Sequence, residues 1–189
     1  MEIRRHLWWI AVLWAGFTLS QEGPFLQRLN EAIQDGGSAY ARDLQQDADQ
    51  ALCSRYRDRL PPEAVEPFLQ RQRSLIRYPA GGRLLGDWKQ GEALFTNPRK
   101  GNCYACHTGD PKEKGAGRMG PGLVAYGQRG TSEAVVRFTY EKVYNAWAFQ
   151  PCSLMYRAGV HGILSPEETA HIVAFLLDPA SPVNANARR

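Results

Sequence analysis

One pentapeptide constrains this 189-residue chain more than any other feature, and it reads Cys-Tyr-Ala-Cys-His at residues 103–107. Two thiols at this spacing can add to the two vinyl groups on one edge of a porphyrin. The adjacent imidazole is then held beneath the iron as an axial ligand. The pattern therefore predicts one haem c, attached covalently through Cys103 and Cys106, with His107 as its proximal ligand.

Two other chemistries use the same spacing of cysteines. A redox dithiol is typical of a thioredoxin-like βαβ context, and the chain shows no alternating strand pattern that would supply one. A closed zinc site requires four ligands, and neither a second Cys-x-x-Cys nor a closely spaced His pair follows in the sequence. The haem interpretation is therefore preferred to both.

A haem that carries electrons, and does not bind small molecules, needs a second axial ligand. The candidates in the sequence are Met119, Met155, Cys152, His161 and His171. Met119 follows the proximal histidine too closely, in a Gly-rich loop, and His171 falls within an amphipathic helical pattern. Met155 lies in an irregular segment between a proline and a glycine, where a loop can direct a thioether at the iron. Met155 is the predicted distal ligand, with Cys152 and His161 as the alternatives.

Helical periodicity recurs along the chain, and the predicted fold class is all-α. Residues 21–82 form a helical N-terminal extension without recognisable chemistry. Residues 83–189 form a second domain with three predicted helices, of which the first is capped by Asp87 and the second starts near Thr131. The last starts with Ser-Pro-Glu-Glu at residues 165–168, a capping box with proline at the first helical position.

The N-terminus has the features of an export signal. Basic Arg4 and Arg5 precede an apolar stretch at residues 7–19, which is too short to span a bilayer as a helix. Cleavage near Ser20 would remove residues 1–20 as a signal peptide, and an uncleaved membrane anchor is the alternative. The expected location is the periplasm.

Two cysteines remain once the haem cysteines are assigned, Cys53 and Cys152. In an oxidising compartment two such thiols most often pair. We therefore predict a disulfide that ties the N-terminal helices to the segment of Met155, with two buried free thiols as the alternative.

The charge of the chain is mild. Its formal net charge is +4 at pH 7, and the basic residues are scattered along the sequence. No nucleic-acid partner is therefore expected. The arginines concentrated in residues 55–77 are interpreted as a solvated face, with a docking patch as the alternative.

Residues 84–180 resemble a class I c-type cytochrome domain. Gly-Glu-Ala-Leu-Phe at residues 91–95 is similar to the family's first helix, whose glycine lets the terminal helix cross closely. Gly-Pro-Gly-Leu at residues 120–123 is similar to the loop whose proline carbonyl accepts a hydrogen bond from the proximal histidine. The resemblance implies a class I cytochrome c fold in which Pro121 orients His107.

Four segments resemble more narrowly the SoxX family, the mono-haem subunits of bacterial SoxAX complexes; they are residues 101–107, 118–121, 151–155 and 177–184. The resemblance implies a subunit that accepts electrons in periplasmic thiosulfate oxidation and is not catalytic alone. Its implied direct partner is a SoxA-like haem subunit. A sulfur-carrier protein and a downstream electron acceptor are its implied indirect partners. One departure is Tyr156, which stands where proline often follows the ligand methionine.

Two other functions compete with this one. A free periplasmic carrier would deliver electrons to an oxidase, but such shuttles are usually reduced to the haem domain, whereas this chain has a long extension. Haem catalysis at an open iron would require a vacant position, which a distal methionine fills. The electron-accepting subunit is therefore the preferred interpretation.

Overall fold

The computed structural model describes residues 23–36, 45–57, 59–110 and 115–185, so the predicted signal peptide at residues 1–20 lies outside the described residues. Helices and short 3₁₀ turns are the regular elements of this part of the chain, which confirms the all-α prediction. The helices are α1 (Gly23–Asp35), α2 (Ala48–Arg55), α3 (Pro62–Ser74), α4 (Trp88–Thr96), α5 (Glu133–Tyr144), α6 (Pro166–Leu177) and α7 (Pro182–Ala185). None of the helices described is both long enough and apolar enough to cross a membrane.

The chain divides after Ala48 into two units. Helix α1 belongs to the first unit and ends at Asp35. Residues 37–44 lie outside the described residues. Helix α2 from its second residue onward and helices α3 to α7 belong to the second unit, residues 49–189. The predicted division at residues 82 and 83 stays a prediction.

Helices α4 and α6 cross closely at Gly91. A Cβ atom at this position would collide with the backbone carbonyl of His171 and would come within 2.8 Å of the Phe175 Cβ atom. Glycine therefore allows the two backbones to approach, and the Phe95 and Phe175 rings pack beside the crossing with centroids 5.1 Å apart. Both aromatic side chains are almost fully buried, so the crossing is a centre of the core.

The predicted capping box opens α6. The Ser165 hydroxyl accepts a hydrogen bond from the Glu168 backbone at 3.1 Å, and the Glu168 carboxylate accepts one from the Ser165 backbone at 2.8 Å. Ser132 caps α5 in the same way, by accepting from the Val135 backbone. The buried faces of α5 and α6 then meet around Tyr140, which is fully buried.

Helices α2 and α3 pack within the same unit as the later helices. Phe68 on α3 is fully buried against Trp147, with ring centroids 5.7 Å apart. The Gln72 side chain, also fully buried, donates to Asp49 at 2.6 Å, and the Asn145 amide donates to the Gln72 carbonyl at 2.8 Å. These contacts place α2 and α3 against residues 145–148, just before the segment of the predicted distal ligand.

Candidate haem site

The Cys-x-x-Cys-His segment folds into one tight turn. A 3₁₀ helix covers Cys103–Ala105, and the chain enters it through Asn102 in the left-handed region, with a φ of 43°. Asparagine tolerates this conformation better than most residues. The backbone N–H groups of Cys106 and His107 both donate to the Cys103 carbonyl, at 3.1 Å and 2.9 Å. The turn, here called the haem-attachment turn (residues 101–107), therefore carries both thiols and the imidazole.

Cys103 and Cys106 are free thiols and are partly buried. Burial raises the pKa of the Cys103 thiol to about 11. Redox-active dithiols depend on a lowered pKa, because the thiolate is the attacking species. The environment of Cys103 therefore disagrees with a redox dithiol and is compatible with thioether attachment.

The His107 ring is oriented by the loop at residues 115–123. Its Nδ1 atom lies 2.8 Å from the Pro121 carbonyl oxygen, which can only accept a hydrogen bond. Nδ1 therefore carries the proton, and the lone pair of Nε2 remains for a metal. Gly120 lies against the same ring, since a Cβ atom there would collide with the imidazole. The thiols, the oriented imidazole and this glycine cradle fit a covalently attached haem.

The residues that the structure describes do not supply the ligands of a zinc site. No group of three or more His, Cys, Asp or Glu side chains comes together there. A closed structural zinc site takes four ligands. The single Cys-x-x-Cys pair is therefore not half of such a site among these residues.

Three of the five candidate distal ligands occupy positions that do not suit an axial role. Cys152 is in a disulfide. The Nδ1 atom of His171 accepts a hydrogen bond from the Asp87 backbone at 2.8 Å, so this ring caps the start of α4. The Met119 side chain is 72% exposed.

Met155 is partly buried. Its backbone N–H donates to the Ser153 hydroxyl at 3.2 Å. The indole N–H of Trp147 donates to the Ser153 carbonyl at 2.7 Å. His161, the remaining candidate, is exposed. Residues 151–156 are called the distal segment below.

A disulfide joins Cys53 on α2 to Cys152 in the distal segment, with an S–S distance of 2.08 Å and Cα atoms 5.6 Å apart. Both cysteines are buried in a small cluster with Phe68. The bridge therefore links α2 to the distal segment three residues before Met155.

Sequence reasoning missed two contacts of the site. The Tyr156 hydroxyl donates a hydrogen bond to the Gly101 carbonyl and so connects the distal segment with the haem-attachment turn. Gly120 was noted as part of a loop motif, but its contact with the His107 ring was not foreseen. The signal for the first contact was the replacement of a proline by tyrosine after Met155. The second had no signal beyond a glycine beside Pro121.

The cytochrome c family model matches residues 88–178, which hold α4, the haem-attachment turn, α5 and α6. Residues 88–178 therefore form a domain of the cytochrome c family, and the protein is an electron-transfer protein that carries one covalent haem c. As a c-type cytochrome it acts outside the cytoplasm, in keeping with its disulfide.

The chain is similar to an uncharacterized lipoprotein of Aquifex aeolicus (strain VF5). The two are 42% identical over 154 residues, which cover 74% of this chain and 73% of that protein. The relative's name does not refer to SoxX or to sulfur oxidation.

Proposed function

We propose that the protein is the electron-accepting, mono-haem subunit of a periplasmic complex that oxidises thiosulfate, with a SoxA-like haem subunit as its direct partner. The bound haem supplies a one-electron ferric/ferrous couple. The observation that carries the proposal is that large apolar side chains are exposed on the two segments that contact the haem-attachment turn, Met119 on one segment and Leu154 and Tyr156 on the other. These three residues are called the haem-edge patch.

The haem-edge patch lies on two segments that contact the haem-attachment turn. Met119 precedes Gly120, whose backbone N–H donates to the Cys106 carbonyl at 2.8 Å. Leu154 is 81% exposed and lies two residues before Tyr156, whose hydroxyl reaches the Gly101 carbonyl. Large apolar side chains exposed together are typical of interaction sites. An electron-transfer partner that docks here would bring its own cofactor close to the edge of the haem.

Met155 is the proposed distal ligand. This choice is supported by the other candidates: Cys152 is in a disulfide, His171 accepts a hydrogen bond from the Asp87 backbone, and Met119 is exposed. Thioether ligation raises the reduction potential of a c-type haem, which favours the acceptance of electrons. Ligation by both His107 and Met155 would leave no position on the iron open to a substrate. The subunit is therefore expected not to be catalytic alone.

The helices α2 and α3 support a docked subunit over a free carrier. They pack on residues 145–148 and are tied to the distal segment by the Cys53–Cys152 disulfide. They therefore add surface beside the haem domain that a small shuttle does not need. A partner interface that lasts through purification is expected to bury more than about 1,000 Å².

A periplasmic location is supported by the disulfide and by the predicted signal peptide at residues 1–20. The Aquifex relative is named a lipoprotein. Membrane association here would use the apolar residues 7–19 as an uncleaved anchor.

The decisive experiment mixes the holoprotein with a SoxA-like subunit and a sulfur-carrier protein, adds thiosulfate and follows the reduction of its haem. We expect reduction only in the complete mixture. Leu154→Glu should slow it more than tenfold, because a charge would be buried in the interface. Phe138→Glu, at an exposed aromatic residue on α5, is the matched control and should behave as the wild type.

Two outcomes contradict the proposal. One is turnover of thiosulfate by the isolated chain, and the other is the absence of binding to the SoxA-like subunit at micromolar concentration. The free-carrier alternative predicts the second outcome, together with rapid electron delivery to an oxidase.

A further inference from the structure

Tyr156 joins the distal segment to the haem-attachment turn. Its hydroxyl donates a hydrogen bond to the carbonyl oxygen of Gly101, two residues before Cys103. Gly101 is buried and closely packed, because an added Cβ atom would lie 2.6 Å from the Leu94 carbonyl oxygen and 3.3 Å from the Cys103 Sγ atom. The acceptor of the hydrogen bond is therefore a well-fixed point beside the first haem cysteine.

Further contacts hold the distal segment on the N-terminal side of Met155. Cys152 is bonded to Cys53 on α2, and the Ser153 carbonyl accepts from the Trp147 indole at 2.7 Å. These contacts hold the start of the segment to α2 and to the turn Ala146–Ala148. On the C-terminal side of Met155, Tyr156 attaches the distal segment to the haem-attachment turn, which carries the haem thiols.

We propose that Tyr156 is a positioning residue whose hydrogen bond to Gly101 keeps the distal segment closed and so keeps the Met155 thioether at the iron. The proposal rests on Met155 as the distal ligand. The hydrogen bond restrains the distal segment by joining it to the haem-attachment turn across the site.

Removing the Tyr156 hydroxyl destabilises the closed state of the distal segment and leaves the open state unaffected. A buried carbonyl without a donor is unfavourable, whereas in an open segment the same carbonyl can be hydrated. Removing the hydroxyl should therefore raise the fraction of open segment by about tenfold. The Tyr156 ring is itself 37% exposed, so Tyr156→Phe does not require the core to repack.

The test measures the binding of imidazole to the oxidised holoprotein. Imidazole competes for the iron only when Met155 has left it, so its apparent affinity follows the open fraction. We expect Tyr156→Phe to bind imidazole about tenfold more tightly than the wild type. Tyr78→Phe is the matched control, because it removes a hydroxyl that donates to the Glu141 carboxylate at 2.7 Å, on another face of the protein. The control should bind imidazole as the wild type does.

Several results overturn the proposal. Methionine bound to the iron gives the oxidised protein a weak near-infrared absorption band, the sulfur-to-iron band. One contradicting result is that the wild type shows this band but Tyr156→Phe binds imidazole with unchanged affinity. Another is that Tyr156→Phe unfolds at a lower urea concentration than the wild type while its imidazole affinity stays the same. Such a result would indicate a purely structural role for Tyr156. A wild type without the band overturns both the ligand assignment and the proposal. None of these results bears on the thiosulfate role, which is read from the partner mixture.

Discussion

The Nδ1 atom of His107 lies 2.8 Å from the carbonyl oxygen of Pro121. Because the carbonyl can only accept, the bond fixes the tautomer of the imidazole and leaves Nε2 unprotonated. Gly120, one residue before this proline, lies directly against the same ring. The loop thus sets both the rotation of the His107 ring and the space that it occupies.

Gly120→Ala is expected to displace the His107 ring, because the new methyl group would overlap it. Overpacking of this kind costs about 1–3 kcal/mol of stability. Urea unfolding of the holoprotein measures this loss, and the yield of haem-loaded protein should fall as well. Gly122→Ala is the control, since a Cβ atom at Gly122 meets nothing within 4 Å. Equal stability of the two variants would show that the ring is not held by Gly120.

Covalent attachment through Cys103 and Cys106 predicts that acid-acetone extraction leaves the haem on the polypeptide. The double variant Cys103→Ser/Cys106→Ser lacks both thiols, so its haem should pass into the acetone. The absorbance of the protein and solvent fractions measures the result. Extraction of the haem from the wild type would refute the thioether assignment.

The disulfide between Cys53 and Cys152 predicts a thiol count of zero in the unreduced, denatured holoprotein. The other two cysteines are then thioethers, so two reactive thiols would refute the bridge. Cys53→Ser/Cys152→Ser should lower stability by up to about 4–5 kcal/mol on the chain-entropy model, since the bridge closes a sequence separation of 99 residues. Urea unfolding of the variant measures the loss.

The lowered pKa of the Glu168 carboxyl predicts that the stability of the fold depends on pH. Burial acts to raise its pKa, but hydrogen bonds from Lys100 and from the Ser165 backbone outweigh this and lower the pKa overall. A lowered folded-state pKa means that the carboxylate stabilises the fold above its unfolded pKa of about 4.3. That contribution is lost as the pH falls through the folded-state pKa.

Glu168→Gln should therefore lower stability by up to about 1 kcal/mol at pH 7, because the amide still accepts from the Ser165 backbone but loses the charge that pairs with Lys100 at the helix N-terminus. The difference from the wild type should shrink in acid. Urea unfolding at pH 7 and at a pH below both pKa values measures it. Glu133→Gln, at a carboxylate whose side chain is 88% exposed, is the control and should stay close to the wild type at both values. A deficit of Glu168→Gln that persists unchanged in acid would contradict the prediction.

Local features of this fold could be predicted from the sequence because their partners lie a few residues apart. The capping box of Ser165 and Glu168 spans one helical turn and needs no knowledge of the rest of the chain. The cap at Asp87 is equally local, since its carboxylate accepts from the Lys89 backbone two residues later. The turn at residues 103–107 likewise carries its chemistry in adjacent residues.

Contacts across the site could not be predicted in this way. Tyr156 and Gly101 are 55 residues apart, and His171 and Asp87 are 84 apart. Such pairs depend on how loops and helices pack in three dimensions, and a single tyrosine or histidine carries no periodic signal. The buried Gln72 illustrates the same limit, because its side-chain amide bonds to Asp49, Asn145 and Arg157, which lie 23, 73 and 85 residues away in the sequence.

The most direct test of the haem site compares Met155→Ala with Met119→Ala. Both remove a thioether, but Met155 is partly buried beside Ser153, whereas Met119 is 72% exposed. The near-infrared spectrum of the oxidised holoprotein reports whether sulfur is bound to the iron, as in cytochromes c with methionine ligation. We expect the sulfur-to-iron band to vanish in Met155→Ala and to persist in Met119→Ala. The reverse pattern, or a band that survives in both variants, would contradict the assignment of Met155.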